Sequence, residues 1–356
     1  MTVTVGAHGG SPARERVLLA AARRGDGGAF GRLVEPYRAE LHAHCYRMLG
    51  SVQDAEDALQ DAMLGAWRGL AGFEGRSSLR SWLYRIATNA CLRLLARRPR
   101  RLLAADHAPA AKPRDELGEP VLEPVWVEPC PDERLAVKDR LAAPAARYEL
   151  RESVELAFVA ALQELPATQR AVLVLRDVLA LPAADVAATL DTSVASVNSA
   201  LQRARRAVEA RLPSTSQQAT LRALGDAGAR ALVAALVRAW ERHDVDGLVG
   251  LLAEDVRFTM PPLPAWFDGR EAVLRFFAER VFEQPWRLVP ATANGQLALV
   301  CYMGDDTIGP GDDLPFSGVT VLTVRGREIV ALDGFVGPAA TGPFGLPPTA
   351  PRPGRD

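Results

Sequence analysis

Across residues 102–144 the helical periodicity found on either side stops. Pro109, Pro113, Pro120, Pro124, Pro129 and Pro131 fall among scattered charges, and no apolar period of two or of 3.6 persists. Proline fixes φ and removes a backbone donor, so a segment this rich in it does not continue the flanking helices. The stretch reads as a long linker between two helical units. A second interruption, polar and rich in Ser, Thr and Gln, covers residues 213–220. With 356 residues there is length for three units, each burying its own core.

The formal net charge of −1 hides a local asymmetry. Between Glu74 and Asp106 there is no acidic residue, and Arg76, Arg80, Arg85, Arg93, Arg97, Arg98, Arg100 and Arg101 are interleaved with Trp82, Tyr84 and nearby Phe73. Arginines attract phosphates and aromatic rings offer faces on which an unpaired base can stack, a mixture suited to single-stranded or opening DNA. The competing reading is an amphipathic helix whose aromatics are core and whose arginines are only solvated. Cys45, Cys91, Cys130 and Cys301 are scattered, which argues against a disulfide framework or a zinc ribbon and fits a reducing cytoplasm. His42, His44 and Cys45 lie close together, yet positions two apart on a helix point to different sides, so no metal and no cofactor is expected. No apolar run reaches the roughly 18 residues that a bilayer span needs, so a cytoplasmic chain with no membrane partner is expected.

From Val17 to about Arg98 the pattern is helical, punctuated by glycines. Ala55, Ala58, Leu59, Ala62, Met63, Ala66 and Trp67 line one helical face, and Asp54, Asp57 and Asp61 fall together on another. The second helical block carries stripes ending at Pro166 and at Leu179. A short helix opened by Pro182 follows, then the capping turn Asp191, Thr192, Ser193 and a stripe of Val194, Val197, Leu201, Ala204 and Val208. That is a helix-turn-helix pattern. Ser193, Ser196, Asn198, Ser199, Gln202, Arg203 and Arg206 lie off the stripe and suit base edges and phosphates in a major groove. The third block starts helical at residues 229–243 and 247–252, then becomes strand-like at 255–260, 296–303, 318–324 and 328–335, an α+β pattern.

The run Asp54 to Asp61 followed by Trp67 resembles the core-polymerase-binding helix of bacterial sigma factors. Phe73, Ser77, Ser78, Leu79 and the run from Ser81 to Asn89 resemble the minus-ten recognition and melting segment of the extracytoplasmic-function (ECF) group. The resemblance assigns Asp54, Asp57, Asp61 and Trp67 to polymerase docking, and Arg76, Ser78, Trp82, Arg85 and Asn89 to DNA; Arg80 and Arg93 of the acid-free arginine stretch are added as DNA candidates. The runs from Leu165 to Val172 and from Val197 to Ala204 are similar to the domain of that family that reads the minus-thirty-five element, although two positions often basic there are Asn198 and Ala200 here. The run Ala239 to Asp244, Leu251 to Val256 and Asp268 to Ala272 resemble the SnoaL-like group, cone-shaped α+β domains with an apolar pocket, some of them enzymes.

The expectation is a multidomain ECF sigma factor with core RNA polymerase and promoter DNA as partners. Its parts are an all-α domain at residues 14–101, a linker at 102–147, an all-α helix-turn-helix domain at 148–212, a linker at 213–228, a cone-shaped SnoaL-like domain at 229–337 and a disordered tail at 338–356. Trp126 is read as an anchor from the linker onto a neighbouring surface. For a small-molecule ligand in the third domain the candidate pocket residues are His243, Met260, Trp266, Tyr302 and Asp333, with Asp244, Asp255 and Phe267 beside them. No convergent catalytic pair stands out, so regulation by contact with the helical domains or with polymerase is expected rather than catalysis. The alternative is a helix-turn-helix regulator fused to a SnoaL-like isomerase or cyclase.

Overall fold

Helix ends in the first unit follow from single side chains. The computed structural model of the chain describes residues 12–121, 125–135, 152–304, 309, 312–337 and 341–353. Helix α1 spans Pro12–Arg23, and Asp26 caps α2 (Gly27–Leu49) by accepting from the Ala29 amide at 2.9 Å. Gly50 closes α2 in the left-handed region, at φ 66°, which returns its N–H to Tyr46 O. Ser51 then caps α3 (Val52–Gly69), and Ser78 caps α4 (Leu79–Leu95). The buried face of α3 is mostly Ala55, Ala58, Ala62 and Ala66, whose small side chains let α2 and α4 approach closely.

The proline-rich segment is anchored rather than free. Apart from α5 (Ala104–His107) and a 3-10 turn at Asp132–Arg134 it is irregular; its residues 136–147 lie outside the described ones. The Leu102 amide donates to Val125 O and the Val127 amide to Leu102 O, which folds the segment back on itself. Trp126 packs with Ala104 against Trp266 of the third unit. The anchor read from the sequence is thus found, and Trp266 Nε1 adds a bond to Ala108 O.

The described part of the second unit consists of α6 (Leu156–Gln163), α7 (Ala167–Leu173) running into a π turn at Val174–Val178, α8 (Ala183–Thr189) and α9 (Val194–Glu209). Its core is continuous with that of the first unit. The third unit contains α10 (Gln217–Glu241), α11 (Val245–Val249), α12 (Arg270–Glu279) and a mixed sheet in the order β2-β1-β6-β5-β4-β3. The strands are β1 (Leu252–Thr259), β2 (Trp266–Asp268), β3 (Trp286–Ala293), β4 (Gln296–Met303), β5 (Leu314–Arg325) and β6 (Glu328–Val336); β1 and β6 run parallel. One sheet face packs on α10 and α12 through Phe258, Leu288, Leu299 and Leu322. From the other face Ala298, Val319, Val321 and Phe335 join the core of the helical units.

Two expectations about boundaries are corrected. Residues 213–228 are not a linker throughout, because α10 starts at Gln217 and is only interrupted at Gly225, where φ is 71°. Three of the polar residues that suggested a tether, Gln217, Gln218 and Thr220, are buried, and Gln217 exchanges two hydrogen bonds with the Val324 backbone. The tail also departs from disorder over its described residues. It forms α13 (Thr341–Phe344) and β7 (Thr349–Ala350), which pairs with β5 through Leu314 and Ala350.

Candidate nucleic-acid interface and the junction behind it

Helix α9 buries most of its apolar stripe and exposes the candidate DNA residues; Val194, at its first position, is 42% exposed. Val197, Leu201, Ala204 and Val208 are buried, while Ser196, Asn198, Ser199, Gln202, Arg203 and Arg206 are exposed. Ser193 Oγ accepts from the Ser196 amide and so starts the helix. Arg205 is tied to Asp177 by two bonds of 2.7 and 2.8 Å, which fixes α9 against the π turn. Ala200, one of the departures from the family pattern, is buried and cannot reach DNA, whereas Asn198 can.

On α4 the candidates divide. Arg76, Ser78, Arg85 and Arg93 are exposed, and Asn89 is half-buried. Trp82 is half-buried too, its ring 4.9 Å from that of Phe73. Arg80 is engaged inside the fold. It holds Glu40 of α2 through bonds of 2.8 to 3.1 Å and lies over the Tyr84 ring. Ser78 Oγ is occupied as the cap of α4.

The acidic ridge of α3 is smaller than the spacing implies. Asp57 and Asp61 are exposed beside Gln60 and Leu64, which is 53% exposed. Asp54 is only 5% exposed, with Arg101 Nη2 at 2.6 Å and Arg98 Nη2 at 3.2 Å. The basic run after α4 folds back on the start of α3, a contact between positions 47 apart that no local pattern records. Trp67 is half-buried, edge-on to Phe30 at 5.2 Å.

The five pocket candidates are not brought together. Met260 sits in the aromatic core among Trp240, Phe258, Phe277 and Trp286, which fills the space between helices and sheet. His243, at φ 55°, stacks on Phe282 at the end of α10, and Trp266 is spent on the linker. Tyr302 faces Phe316 and donates to Pro347 O. Asp333 accepts from Thr259 Oγ1 at 3.0 Å, and burial pushes its carboxyl up to about 6. Of the neighbours, Asp244 caps α11, Asp255 pairs with Arg325, and Phe267 is core. The residues therefore do not form one cavity.

The element that sequence reasoning missed is the turn between β3 and β4. Asn294, fully buried at φ 57°, joins all three units. Its Oδ1 accepts from the Cys130 amide, and its Nδ2 donates to Tyr46 Oη at 2.8 Å and to Val154 O at 2.7 Å. Gly295 N donates to Asp132 Oδ1, and Gln296 Oε1 accepts from the Leu156 amide. The only local signal was the Asn-Gly pair of a tight hairpin.

Beside this turn Glu155 caps α10 by accepting from the Gln218 amide at 2.8 Å. Burial pushes its carboxyl up to about 7, against the pull of the Gln218 and Gln217 amides and with help from Glu152. The folded value lies above the ordinary 4.5, so the folded chain keeps the proton across that window and loses stability as pH rises through it. The stability gap between wild type and Glu155→Gln is expected to shift in favour of the variant by on the order of 1–3 kcal/mol between about pH 5 and 8. Urea titrations of both proteins at each pH check this, and parallel curves would contradict it.

Comparison with known proteins fits this layout. A model described as Sigma-70 region 2 matches residues 33–101, one described as Sigma-70, region 4 matches 155–208, and one described as SnoaL-like domain matches 233–332. The chain is 42% identical over 329 residues to the ECF RNA polymerase sigma factor SigG of Mycobacterium tuberculosis, covering 91% of this chain and 85% of that protein. It is 31% identical over 309 residues to SigJ of the same species, covering 84% and 88%. The crystal structure of Mycobacterium tuberculosis SigJ superposes with a TM-score of 0.54 at 26% identity, covering 87% of this chain and 97% of that one. The chain belongs to the ECF sigma factors, and carries a SnoaL-like domain at its C-terminal side. It directs promoter-specific transcription initiation with core RNA polymerase. No helix among the described residues is long and apolar enough to cross a membrane.

Proposed function

We propose that the SnoaL-like unit regulates this sigma factor by clamping its two DNA-reading units together. In this reading Asp57, Asp61 and Trp67 meet the polymerase, with Asp54 bracing α3 from beneath through Arg101. Arg76, Ser78, Trp82, Arg85, Asn89 and Arg93 meet the minus-ten strand as it opens, and Arg80 supports them by fixing α4 to α2. Ser193, Ser196, Asn198, Ser199, Gln202, Arg203 and Arg206 read the minus-thirty-five element. The reading takes the units as 14–101, 148–212 and 229–337, with the third extended back to Gln217, where its first helix starts. Of the pocket candidates, Asp333, a proton-holding carboxyl bonded by Thr259, is the group this reading offers to a small ligand of that unit.

The observation that carries the clamp is the burial of Asn294 among groups of all three units. By their names the two promoter elements lie roughly 25 base pairs apart, about 85 Å of duplex at 3.4 Å per pair. Two units sharing one core cannot span that, so the closed arrangement must open on a promoter. Run-off transcription with core polymerase should therefore be stronger for a fragment ending at Leu212 than for the full chain; equal output would remove the clamp.

Within that fragment, Gln202→Ala or Arg203→Ala should each weaken use of the minus-thirty-five element by about 10- to 100-fold if the side chain reads a base. Arg206→Ala should instead weaken binding to all sequences alike. Competition binding on a promoter library separates the two patterns.

A further inference from the structure

A cleft of about 330 Å³ lies where the end of α4 meets the start of α7, away from the α9 reading face. Arg98, Arg100, Arg101 and Arg170 line it, with only two carboxylates, Asp54 and Glu164. Both carboxylates are already matched. Asp54 takes Arg98 and Arg101, and Glu164 takes Arg100 at 3.2 Å and Arg211 at 2.8 Å.

Arg170 is different. It is 4% exposed, and its terminal nitrogens reach only neutral acceptors, Met48 O, the Gln163 side chain, Gln163 O and Leu165 O. Its Nε is buried with no partner. Burial and the nearby Arg100 pull its pKa down to about 10, the mark of a cation short of counter-charge. Leu49, Leu95, Leu165 and Pro166 supply an apolar wall, and in such surroundings a charge pair is stronger than in water. At about 30 Å³ per water the volume is that of roughly ten waters, more than one phosphate fills.

We propose that this cleft binds a small polyphosphate-bearing anion, held at the rim by Arg98 and Arg100, that supplies Arg170 with its missing counter-charge. Guanidinium forks suit phosphate oxygens, and several forks converging from different directions suit a chain of phosphates better than a single planar carboxylate. Arg98, Arg100 and Arg101 end the first unit while Glu164 and Arg170 belong to the second, so the bound anion bridges the units and stabilises their packing. The site stands apart from the promoter-reading assignments and does not depend on them.

The test titrates the full chain with inorganic tripolyphosphate by calorimetry and thermal unfolding, without divalent metal, at fixed ionic strength, with sulfate as comparator. The expected result is saturable one-to-one binding below about 100 μM and a rise in unfolding midpoint of roughly 2–4 °C at tenfold saturation, which sulfate does not reproduce. The double variant R98Q/R100Q should bind at least about 10-fold more weakly, whereas Arg203→Gln on α9 should bind as wild type. Should the double variant not fold, Arg100→Gln alone carries the comparison, because Glu164 keeps Arg211. Non-saturating binding, an equal effect of sulfate, or undiminished binding by the rim variants would overturn the site. So would single-stranded DNA competing for these arginines while tripolyphosphate is inert.

Discussion

Asn294→Ala is expected to destabilise the full chain by about 3–5 kcal/mol, the combined effect of three lost bonds that leave buried partners open. The Cys130 amide and Val154 O would keep no side-chain partner from this turn, and neither has water to turn to. Alanine must also hold φ near 57°, which costs about 1 kcal/mol more than for glycine. Asn294→Gly should accordingly fall short of the alanine variant by about that amount. Asn294→Asp keeps the acceptor for Cys130 but turns a carboxylate oxygen toward Val154 O, so at neutral pH it should be the worst of the three and should recover as pH falls. Urea unfolding of the four proteins gives the order, and an alanine variant within about 0.5 kcal/mol of wild type would remove the turn as the junction. Because opening separates the reading units, the same variants should transcribe more strongly than wild type at temperatures where all remain folded.

What could be read beforehand and what could not separates along one physical line. The stripe on α9 and its Ser193 cap are local, and there every expected DNA residue is exposed and the stripe is buried except for Val194. Strand β3 escaped notice because Pro290 interrupts it; the fold tolerates that proline since β3 is an edge strand. Arg80 was read as facing DNA from the acid-free arginine run and Asp54 as facing the polymerase from helical spacing and resemblance, yet each meets a charge more than 30 positions away, Glu40 and Arg101. Residues 217–220 looked like a tether because they are polar, a composition that free linkers and bonded junctions share. Asn294 carried no signal of its role beyond turn chemistry, since its partners Tyr46, Cys130 and Val154 lie in other units.

Arg170→Met is expected to cost the closed chain about 3–5 kcal/mol although the substitution keeps most of the buried volume. One guanidinium bonds Met48 O at the end of α2 and Gln163 O and Leu165 O at the end of α6, so it closes the carbonyl ends of two helices from different units. Helix C-termini carry partial negative charge, which explains how the cation is tolerated there without a carboxylate. Gly50 belongs to the same contact, since a Cβ at that position would stand 3.0 Å from Gln163 Cδ. Arg170→Lys should recover less than half of the loss, because a single ammonium cannot reach carbonyls on both helices. A cycle with Gln163→Leu should give a coupling above about 1 kcal/mol, and additive effects would show that Arg170 acts alone. The charge also bears on reversibility: a guanidinium returned to water is well solvated, so an interface built on Arg170 and Arg47, both buried on neutral acceptors, parts at lower cost than an apolar one of equal area. Hydrogen exchange should show this directly, with α2 and α6 exposing their last turns together in wild type at a rate that rises in step with the loss of stability in Arg170→Met.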